Sequence, residues 1–127
     1  MEKRVFAFRG AVCVENTEES ITENVCLVCN ELFAQNKIEA EDVVSLQFSI
    51  TDDITVLNPA TALRRGKTNF DSSQIPLFCT QEAKIEGGMK KVVRVLLTSY
   101  ADSSAERHNI YLNGAEKLRP DFGARKL

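Results

Sequence analysis

The sequence predicts one α+β domain over residues 1–127, with one long helix and one short helix packed on a mixed β-sheet. Two observations predict this class. One long segment repeats apolar residues at the spacing of a helix face, whereas several shorter segments are apolar and β-branched at strand length. Their order is strand, long helix, strand, short helix and then three more strands. The sequence shows no internal repeat, low-complexity segment or linker, so a second domain is not expected.

The first strand is predicted over residues 4–14. Alternation places Phe6 and Phe8 on one face of the strand and Arg9 on the other, between two alanines. A charge inside an apolar strand needs an anionic partner or a bound group. Gly10 follows, and a glycine inside a strand marks a bulge or the close approach of another group.

A long helix is predicted to begin at Asn16, whose side chain would cap it, while Glu19 three residues later would complete a capping box. The helix would end near residues 35–37. Its apolar stripe consists of Ile21, Val25, Val28, Cys29, Leu32 and Phe33. Cys26 and Cys29 form a C-x-x-C pair inside this pattern, and we interpret them as packing residues rather than as a zinc or redox site.

A second strand is predicted over residues 43–51, because apolar residues alternate with polar ones at Val44, Leu46, Phe48 and Ile50. Asn58 would cap a short helix that runs to Arg65 and has proline in its first position, where the missing N–H costs nothing. After a polar loop, a short strand is predicted over residues 75–79.

The fourth strand is predicted from residue 92 to about residue 100. It is almost continuously apolar, which is typical of a strand covered on both faces, yet Arg94 lies in its middle. Residues 102–107 are predicted to hold one helical turn and residues 109–112 a last strand. The tail after about residue 120 has no periodic pattern and is expected to be mobile.

One long helix covers only one face of such a sheet, so the other face must meet solvent or another subunit. Because the strands carry apolar residues on both faces, we predict an oligomer.

Charge and composition argue against several kinds of partner. The formal net charge is -2, so no nucleic-acid partner is expected. No apolar run is long enough to span a bilayer and no signal-peptide pattern occurs, so we expect no membrane partner and a cytoplasmic location. In that location the 4 cysteines would be free thiols.

The residues of common catalytic sites are also missing. His108 is the 1 histidine, and no nucleotide-binding or metalloprotease motif occurs. A pair formed by Cys79 and His108, acting as nucleophile and base, has no support in their spacing. We therefore predict no metal site.

Arginine, in contrast, occurs in unusual places. Arg9 and Arg94 lie within apolar strands, whereas Arg64 lies in the short helix and Arg119 precedes a proline. Each could pair with a local acid in a structural salt bridge. Since Glu82 is the one nearby candidate partner for the two strand arginines, positive charge exceeds negative charge. This excess favours a pocket for a small dianion with carboxylate groups.

Three of these arginines, Arg9, Arg94 and Arg119, lie in motifs that resemble the AroH class of chorismate mutase, a class of small trimeric enzymes with a pseudo-α/β-barrel. The resemblance covers about residues 6–121, and no single motif carries it alone. The matching segments are Phe8-Arg9-Gly10-Ala11, Glu41-Asp42-Val43-Val44, Pro59-Ala60, Cys79-Thr80-Gln81-Glu82, Gly87 through Val95, Tyr111-Leu112 and Leu118-Arg119-Pro120-Asp121.

The resemblance implies a homotrimer whose active sites lie between subunits and which uses no cofactor. The substrate would be chorismate, a dianion, converted to prephenate on the route to phenylalanine and tyrosine. This [3,3] (Claisen) rearrangement moves no proton and forms no covalent intermediate, which would explain the missing catalytic histidine. It needs a compact substrate conformer and positive charge where the ether oxygen becomes partly negative, and arginines supply both.

The resemblance also assigns residue roles. Arg94 would face the ether oxygen, Glu82 would accept from the substrate hydroxyl and fix Arg94, and Arg9 would hold a carboxylate. The remaining pocket residues would line the site or its mouth, and they are Ala60, Arg64, Phe78, Cys79, Tyr111, Leu118 and Arg119. Cys79 would contribute packing and a polar contact rather than a nucleophile.

The resemblance also implies details of the mouth and the wall of the pocket. Arg64 and Arg119 would add positive charge there, and Arg119 would belong to a mobile C-terminal segment that closes over the ligand. The chain departs from the family pattern at Asn58, Thr61 and Phe78, where the family has an aromatic residue, a lysine and a threonine. Loss of the lysine predicts weaker substrate binding or different steering of the substrate, with the core chemistry kept.

Two other functions stay open at this point. Rid-type imine deaminases are also small trimers with inter-subunit pockets and a carboxylate-binding arginine, but they need a positioned water. The Glu82 and Arg94 arrangement favours the mutase over the deaminase. The second alternative is a non-catalytic trimer that binds small anions.

Overall fold

The computed structural model describes residues 2–119, which form a five-stranded mixed sheet with helices on one face. The strands are β1 (Lys3–Cys13), β2 (Val43–Ile50), β3 (Leu77–Gln81), β4 (Val92–Asp102) and β5 (Ile110–Leu112). The helices are α1 (Glu18–Gln35) and α2 (Pro59–Arg65), with 3-10 turns at Ala40–Asp42 and Ala115–Leu118. The predicted class and order of elements are confirmed. The tail predicted to be mobile lies outside the described residues.

The strand order across the sheet is β3-β2-β4-β1-β5. β4 pairs antiparallel with both β1 and β2. The outer strands pair in parallel, β3 with β2 and β5 with β1. The strand that carries Arg94 is therefore central in the sheet, with a hydrogen-bonded neighbour on each side.

The helices cover one face of the sheet, which we call the covered face. Its largest fully buried side chains, together with those of α1, include Phe8, Phe48, Leu46, Leu97, Ile21 and Leu32. Gly10 lies where α1 and β5 come closest to β1. A Cβ at this position would lie 3.0 Å from the carbonyl oxygen of Ile110 and 3.1 Å from Cδ1 of Leu32. The close approach predicted from Gly10 is thus confirmed.

The opposite face, which we call the open face, carries no helix of the described chain. Four large apolar side chains on it are 36% to 61% exposed, and they are Val5, Phe78, Leu96 and Tyr100. Residues 2–119 cover one end of this face, where the 115–118 turn lies over a small buried cluster of Ala11, Val92, Tyr111 and Ala115. Within a single chain, β4 is therefore covered mainly on one face, while its other face carries the exposed Leu96 and Tyr100 beside Arg94.

Two local predictions are confirmed, namely the cap at Asn58 and the packing role of Cys26 and Cys29. Asn58 caps α2, because its side-chain oxygen accepts a hydrogen bond from the backbone N–H of Ala60 at 2.8 Å. Cys26 and Cys29 are buried free thiols on the inner face of α1, as expected for packing residues. No helix among residues 2–119 combines the length and apolar character needed to cross a membrane.

The predicted cap of α1 is wrong by one residue. Thr17 has the extended backbone of a cap position, and its hydroxyl accepts from the N–H of Ser20 at 3.1 Å. Asn16 instead uses its side-chain oxygen to accept the N–H groups of Thr55 and Val56. The local pattern predicted that Asn16 would cap α1, but its side chain makes a long-range contact instead.

Two strand boundaries also differ from the prediction. β3 begins two residues later than expected, at Leu77, because Pro76 has no N–H to donate and serves only as an acceptor for Leu46 N–H at 3.0 Å. β4 continues to Asp102, which pairs with Lys3, so the helical turn predicted over residues 102–107 is wrong. Val44 is 45% exposed because the β2–β4 register shifts between residues 43 and 45.

Candidate active site

The strand registers align the residues of the open face in rows across the sheet. One row consists of Tyr111, Ala11, Arg94, Ser49 and Thr80. The next row consists of Arg9, Leu96, Gln47 and Phe78. Arg9 and Arg94 are therefore diagonal neighbours on adjacent strands, a relation that separates residues by roughly 7–8 Å.

Arg94 is paired with Glu82, which follows directly after β3. Nε of Arg94 donates to Oε2 of Glu82 at 2.8 Å. The backbone N–H of Glu82 donates to the carbonyl of Ile50 at 2.9 Å, so the carboxylate is fixed to the end of β2. Because the bond uses Nε, both terminal nitrogens of the guanidinium lack a partner among residues 2–119. They are available to a ligand.

The guanidinium of Arg9 makes no hydrogen bond or ion pair with any residue in the described part of the chain. Its backbone N–H donates to Oδ1 of Asn109 at 2.8 Å, which fixes the main chain while the side chain extends over the open face. Ala7 and Ala11 lie on either side of it on the same face, and they leave room around the charged group.

Two surface cavities meet at Arg94. One, of about 370 Å³, is lined by both Arg9 and Arg94. The other, of about 570 Å³, is lined by residues 51–53, by Glu82 and the loop over residues 83–90, and by Arg94. The smaller cavity is lined by these two arginines and, among the described residues, by no acidic side chain, so its charge matches a dianionic ligand.

Tyr111 and Leu118 lie at the covered end of the open face. Tyr111 is buried in the small cluster, and Leu118 packs against that cluster from the 115–118 turn. Ala11 stands between Tyr111 and Arg94 in the row, so their backbones are roughly 10 Å apart. Arg119 follows the turn and is partly buried.

Three other predicted pocket residues lie on the covered side of the sheet. Ala60 and Cys79 pack against the main core, and burial raises the pKa of the Cys79 thiol. Arg64 directs its guanidinium to the carbonyls of Ser72 and Ile75, at 2.6 and 2.9 Å. A single chain therefore does not bring these three residues to Arg94.

Phe78 occupies an intermediate place. It lies on the open face, on the edge strand β3, and is 61% exposed. It shares the row of Arg9, but two strands separate them.

Sequence reasoning missed Gln47 and Ser49, which line the cavity between the two arginines. The signal was present, because these polar residues alternate with the buried Leu46 and Phe48 along β2. Alternation identified a polar face, but not that this face would lie beside Arg9 and Arg94, since strand order is a long-range property. The described residues contain no group of three or more His, Cys, Asp or Glu side chains able to share a metal ion.

The arrangement suits charge stabilisation rather than proton transfer. Arg94 is held in one orientation by Glu82, and its guanidinium offers hydrogen-bond donors but no acceptor. A preorganised cation of this kind stabilises negative charge that develops on a bound ligand, and it does so without taking or giving a proton.

Comparison with known proteins finds similarity to one enzyme family along most of the chain. Residues 5–122 match the family model described as chorismate mutase type I. The chain is 33% identical to chorismate mutase AroH of Bacillus subtilis (strain 168), over 93% of this chain and 92% of that protein. It is 31% identical to chorismate mutase AroH of Thermus thermophilus, over 93% of this chain and 96% of that protein. A solved chorismate mutase from Clostridium thermocellum superimposes with a TM-score of 0.78 at 29% identity, covering 89% of this chain and 99% of that one.

Proposed function

The chain belongs to the chorismate mutase type I family and is a chorismate mutase, and we propose that Arg94 stabilises the transition state of its reaction. The enzyme is an isomerase of aromatic amino acid biosynthesis that rearranges chorismate to prephenate. Membership of this family favours the mutase over the imine deaminase and the anion-binding protein considered from the sequence.

The reaction sets two physical requirements. The flexible dianionic substrate must be held in a compact conformer, so that the carbon atoms to be joined approach each other. The ether oxygen gains negative charge as its C–O bond breaks, so a fixed positive group must lie beside it. Neither requirement involves a base, which is consistent with a site built from arginines and one carboxylate.

The contact between Arg94 and Glu82 is the single observation that most directly supports transition-state stabilisation by Arg94. Glu82 binds Nε at 2.8 Å and leaves the terminal nitrogens of Arg94 without a hydrogen-bond partner among residues 2–119, so a ligand can bind them. Because the carboxylate orients the guanidinium before substrate binds, little reorganisation is needed during the reaction. Oε1 of Glu82 has no hydrogen-bond donor among residues 2–119, so it is available to accept the substrate hydroxyl.

Arg9 is assigned to a substrate carboxylate. Its guanidinium is unpaired within the described residues and lines the same cavity as Arg94, on the adjacent strand. A planar guanidinium binds a carboxylate through two parallel hydrogen bonds, which would fix the orientation of the substrate as well as its position. Tyr111, Leu118 and Arg119 would bound the site from the end of the sheet covered by the 115–118 turn.

We also propose that the enzyme is a homotrimer with active sites between subunits. Two observations support this assembly. The open face exposes Val5, Phe78, Leu96 and Tyr100, which a neighbouring subunit would cover. Ala60, Arg64 and Cys79 lie on the other side of the sheet from Arg94, so a pocket containing both sets needs residues from two chains. Light scattering should give three times the 14.2 kDa mass of the chain.

A cytoplasmic location is part of the same proposal. The thiols of Cys13, Cys26, Cys29 and Cys79 are all free, which is usual for proteins kept in a reducing compartment.

The test is the loss of chorismate absorbance with purified protein. Wild type should turn chorismate over well above the uncatalysed rate, and Arg94→Ala should lose at least about 10²–10³ in kcat. Arg94→Lys should also be severely impaired, since lysine cannot bind Glu82 and the ether oxygen through one planar fork. Absence of turnover by wild type would refute the function, whereas normal turnover by Arg94→Ala would refute only the role of Arg94.

A further inference from the structure

Glu82 and Arg94 belong to separate segments that meet at one end of the sheet. Glu82 is fixed to the last residue of β2 through its bond to the carbonyl of Ile50. Arg94 lies near the beginning of β4, two residues after Val92. The relative position of the two side chains therefore depends on how the end of β2 is joined to the start of β4.

Thr51 and Asp53 make this join. The N–H of Thr51 donates to the carbonyl of Val92 at 3.2 Å, and the N–H of Val92 donates to the hydroxyl of Thr51 at 3.0 Å. In a regular antiparallel pair the carbonyl of Thr51 would accept the N–H of Val92. Here that carbonyl accepts the N–H of Ile54 at 3.1 Å, and the Thr51 hydroxyl accepts the N–H of Val92 instead. The β2–β4 pairing is thus extended by one residue beyond Ile50 through a side chain.

The carboxylate of Asp53 holds both parts of this join. Oδ1 accepts from the Thr51 hydroxyl at 2.6 Å, which orients that oxygen toward the N–H of Val92. The N–H of Lys91 donates to both carboxylate oxygens, at 3.1 and 3.0 Å. One carboxylate therefore binds the side chain at the end of β2 and the backbone just before β4.

The backbone of Lys91 has an unfavourable conformation, which the hydrogen bonds to Asp53 stabilise. Its φ of 55° is in the left-handed region, which a residue other than glycine adopts at a cost in free energy. The loop before it, residues 82–90, is largely exposed and contains Gly87 and Gly88. Burial would raise the pKa of Asp53, but its hydrogen bonds from Thr51 and Lys91 outweigh burial and lower it, so the carboxylate is charged at neutral pH.

We infer that Asp53 is a positioning residue for catalysis, which acts through Thr51 and the backbone of Lys91 and Val92 to set Arg94 against Glu82. This inference rests on the proposed role of Arg94. Asp53 also lines the larger cavity, but the role inferred here acts through its hydrogen bonds to Thr51 and Lys91 and needs no contact with the substrate. A displacement of about 1 Å at a reacting group lowers a rate by roughly 10²-fold, so a modest shift at the start of β4 has a large effect.

The experiment compares kcat and KM for chorismate in wild type, Asp53→Ala, Asp53→Asn and a matched control, Asp102→Ala. Asp102 lies at the opposite end of β4 and likewise accepts hydrogen bonds from a backbone N–H and a hydroxyl, both from Ser104 at 3.0 Å. Every variant is assayed at a temperature where circular dichroism shows it to be folded. Thr51→Val, which keeps the shape of Thr51 without its hydroxyl, serves as the second variant if Asp53→Ala does not fold.

We expect Asp53→Ala to lose about 10- to 100-fold in kcat with little change in KM. Asp53→Asn should be intermediate, because its amide oxygen still accepts from Lys91 or Thr51, and Asp102→Ala should match wild type. In an Arg94→Ala background, Asp53→Ala should cause no further loss, since there is no guanidinium left to position.

Three results would overturn the inference. These are a kcat for folded Asp53→Ala equal to that of wild type, an equal loss in Asp102→Ala, or a full additive loss in the double variant. The third would mean that Asp53 acts on something other than Arg94. A wild type that does not turn over chorismate would refute the proposed function as well, and so would be distinguishable from a failure confined to Asp53.

Discussion

The two faces of the sheet have opposite chemistry, although both are built from the same strands. The covered face presents Phe8, Phe48 and Leu97 to the helices, and all three are almost completely buried. The open face presents Arg9 and Arg94 with exposed apolar side chains around them. Because successive residues of a strand point to opposite faces, one segment contributes to folding and to function through alternate positions. Variants on the two faces should therefore fail in different ways.

The largest expected effect is a loss of stability, caused by a substitution on the covered face. Phe48→Ala should lower the free energy of unfolding by about 3–5 kcal/mol, because it removes a fully buried ring and leaves a cavity. Chemical denaturation measures this loss. Leu27→Ala on the outer surface of α1, where Leu27 is 40% exposed, is the control and should change stability by less than about 0.5 kcal/mol. Folded Phe48→Ala should keep its kcat, and a large loss of kcat would contradict the separation of the two faces.

The next effect is on activity, from the open face. Glu82→Ala should lower kcat about tenfold or more, because a hydrogen bond to a charged group contributes roughly 1.5–3 kcal/mol and this one orients Arg94. Glu82→Gln should recover part of the loss, since its amide oxygen still accepts from Nε. Steady-state kinetics and unfolding are measured together. A loss of stability in Glu82→Ala with kcat unchanged would make the pair structural rather than catalytic.

Acid should weaken the hydrogen bonds that Asp53 accepts from Thr51 and Lys91. The native pKa of Asp53 lies below the usual 3.8, mainly because the Thr51 hydroxyl and the Lys91 N–H overcome the opposing effect of burial. A depressed native pKa means that the carboxylate stabilises the folded state above pH 3.8, and that this contribution disappears as pH falls through the lower native pKa. The difference in unfolding free energy between wild type and Asp53→Asn should follow that course. A difference that stays constant down to the lowest pH would contradict it.

The smallest expected effect concerns Phe78 on the open face. Its ring is 61% exposed in the single chain, so Phe78→Thr should change the unfolding of the dissociated chain by less than about 0.5 kcal/mol. If a neighbouring subunit covers this face, the same variant should dissociate at a higher protein concentration than wild type. Light scattering over a dilution series measures this shift. Unchanged dissociation would exclude Phe78 from the subunit contact.

The sequence predicted the elements more accurately than their arrangement. α1 and α2 were located to within a few residues because apolar spacing and an Asn-Pro cap are local signals. The order β3-β2-β4-β1-β5 joins residues far apart in the chain, and nothing in the local pattern specifies it. Asn16 shows the same limit at a single residue, since its side chain binds Thr55 and Val56 instead of capping α1.

The site residues show the same difference between local signals, which the sequence carries, and long-range contacts, which it does not. Arg9 and Arg94 were identified because a charge inside an apolar strand is visible in the sequence, and the fold places both on one face. The join between Asp53 and Lys91 was missed, since a side-chain bond to backbone 38 residues away has no sequence pattern. Cys79 lies on the covered side because it pairs with the buried Phe48, and this register between β2 and β3 is a long-range property that the local pattern does not specify.

One measurement tests the central claim most directly, namely chorismate turnover per folded molecule for Arg94→Ala compared with Leu97→Ala. These residues lie on the same strand, three positions apart in the numbering and on opposite faces. Arg94→Ala should lose at least about 10²-fold in kcat while its unfolding stays close to that of wild type. Leu97→Ala should lose about 2–5 kcal/mol of stability but keep the kcat of its folded molecules. Near-normal turnover by folded Arg94→Ala would contradict the account.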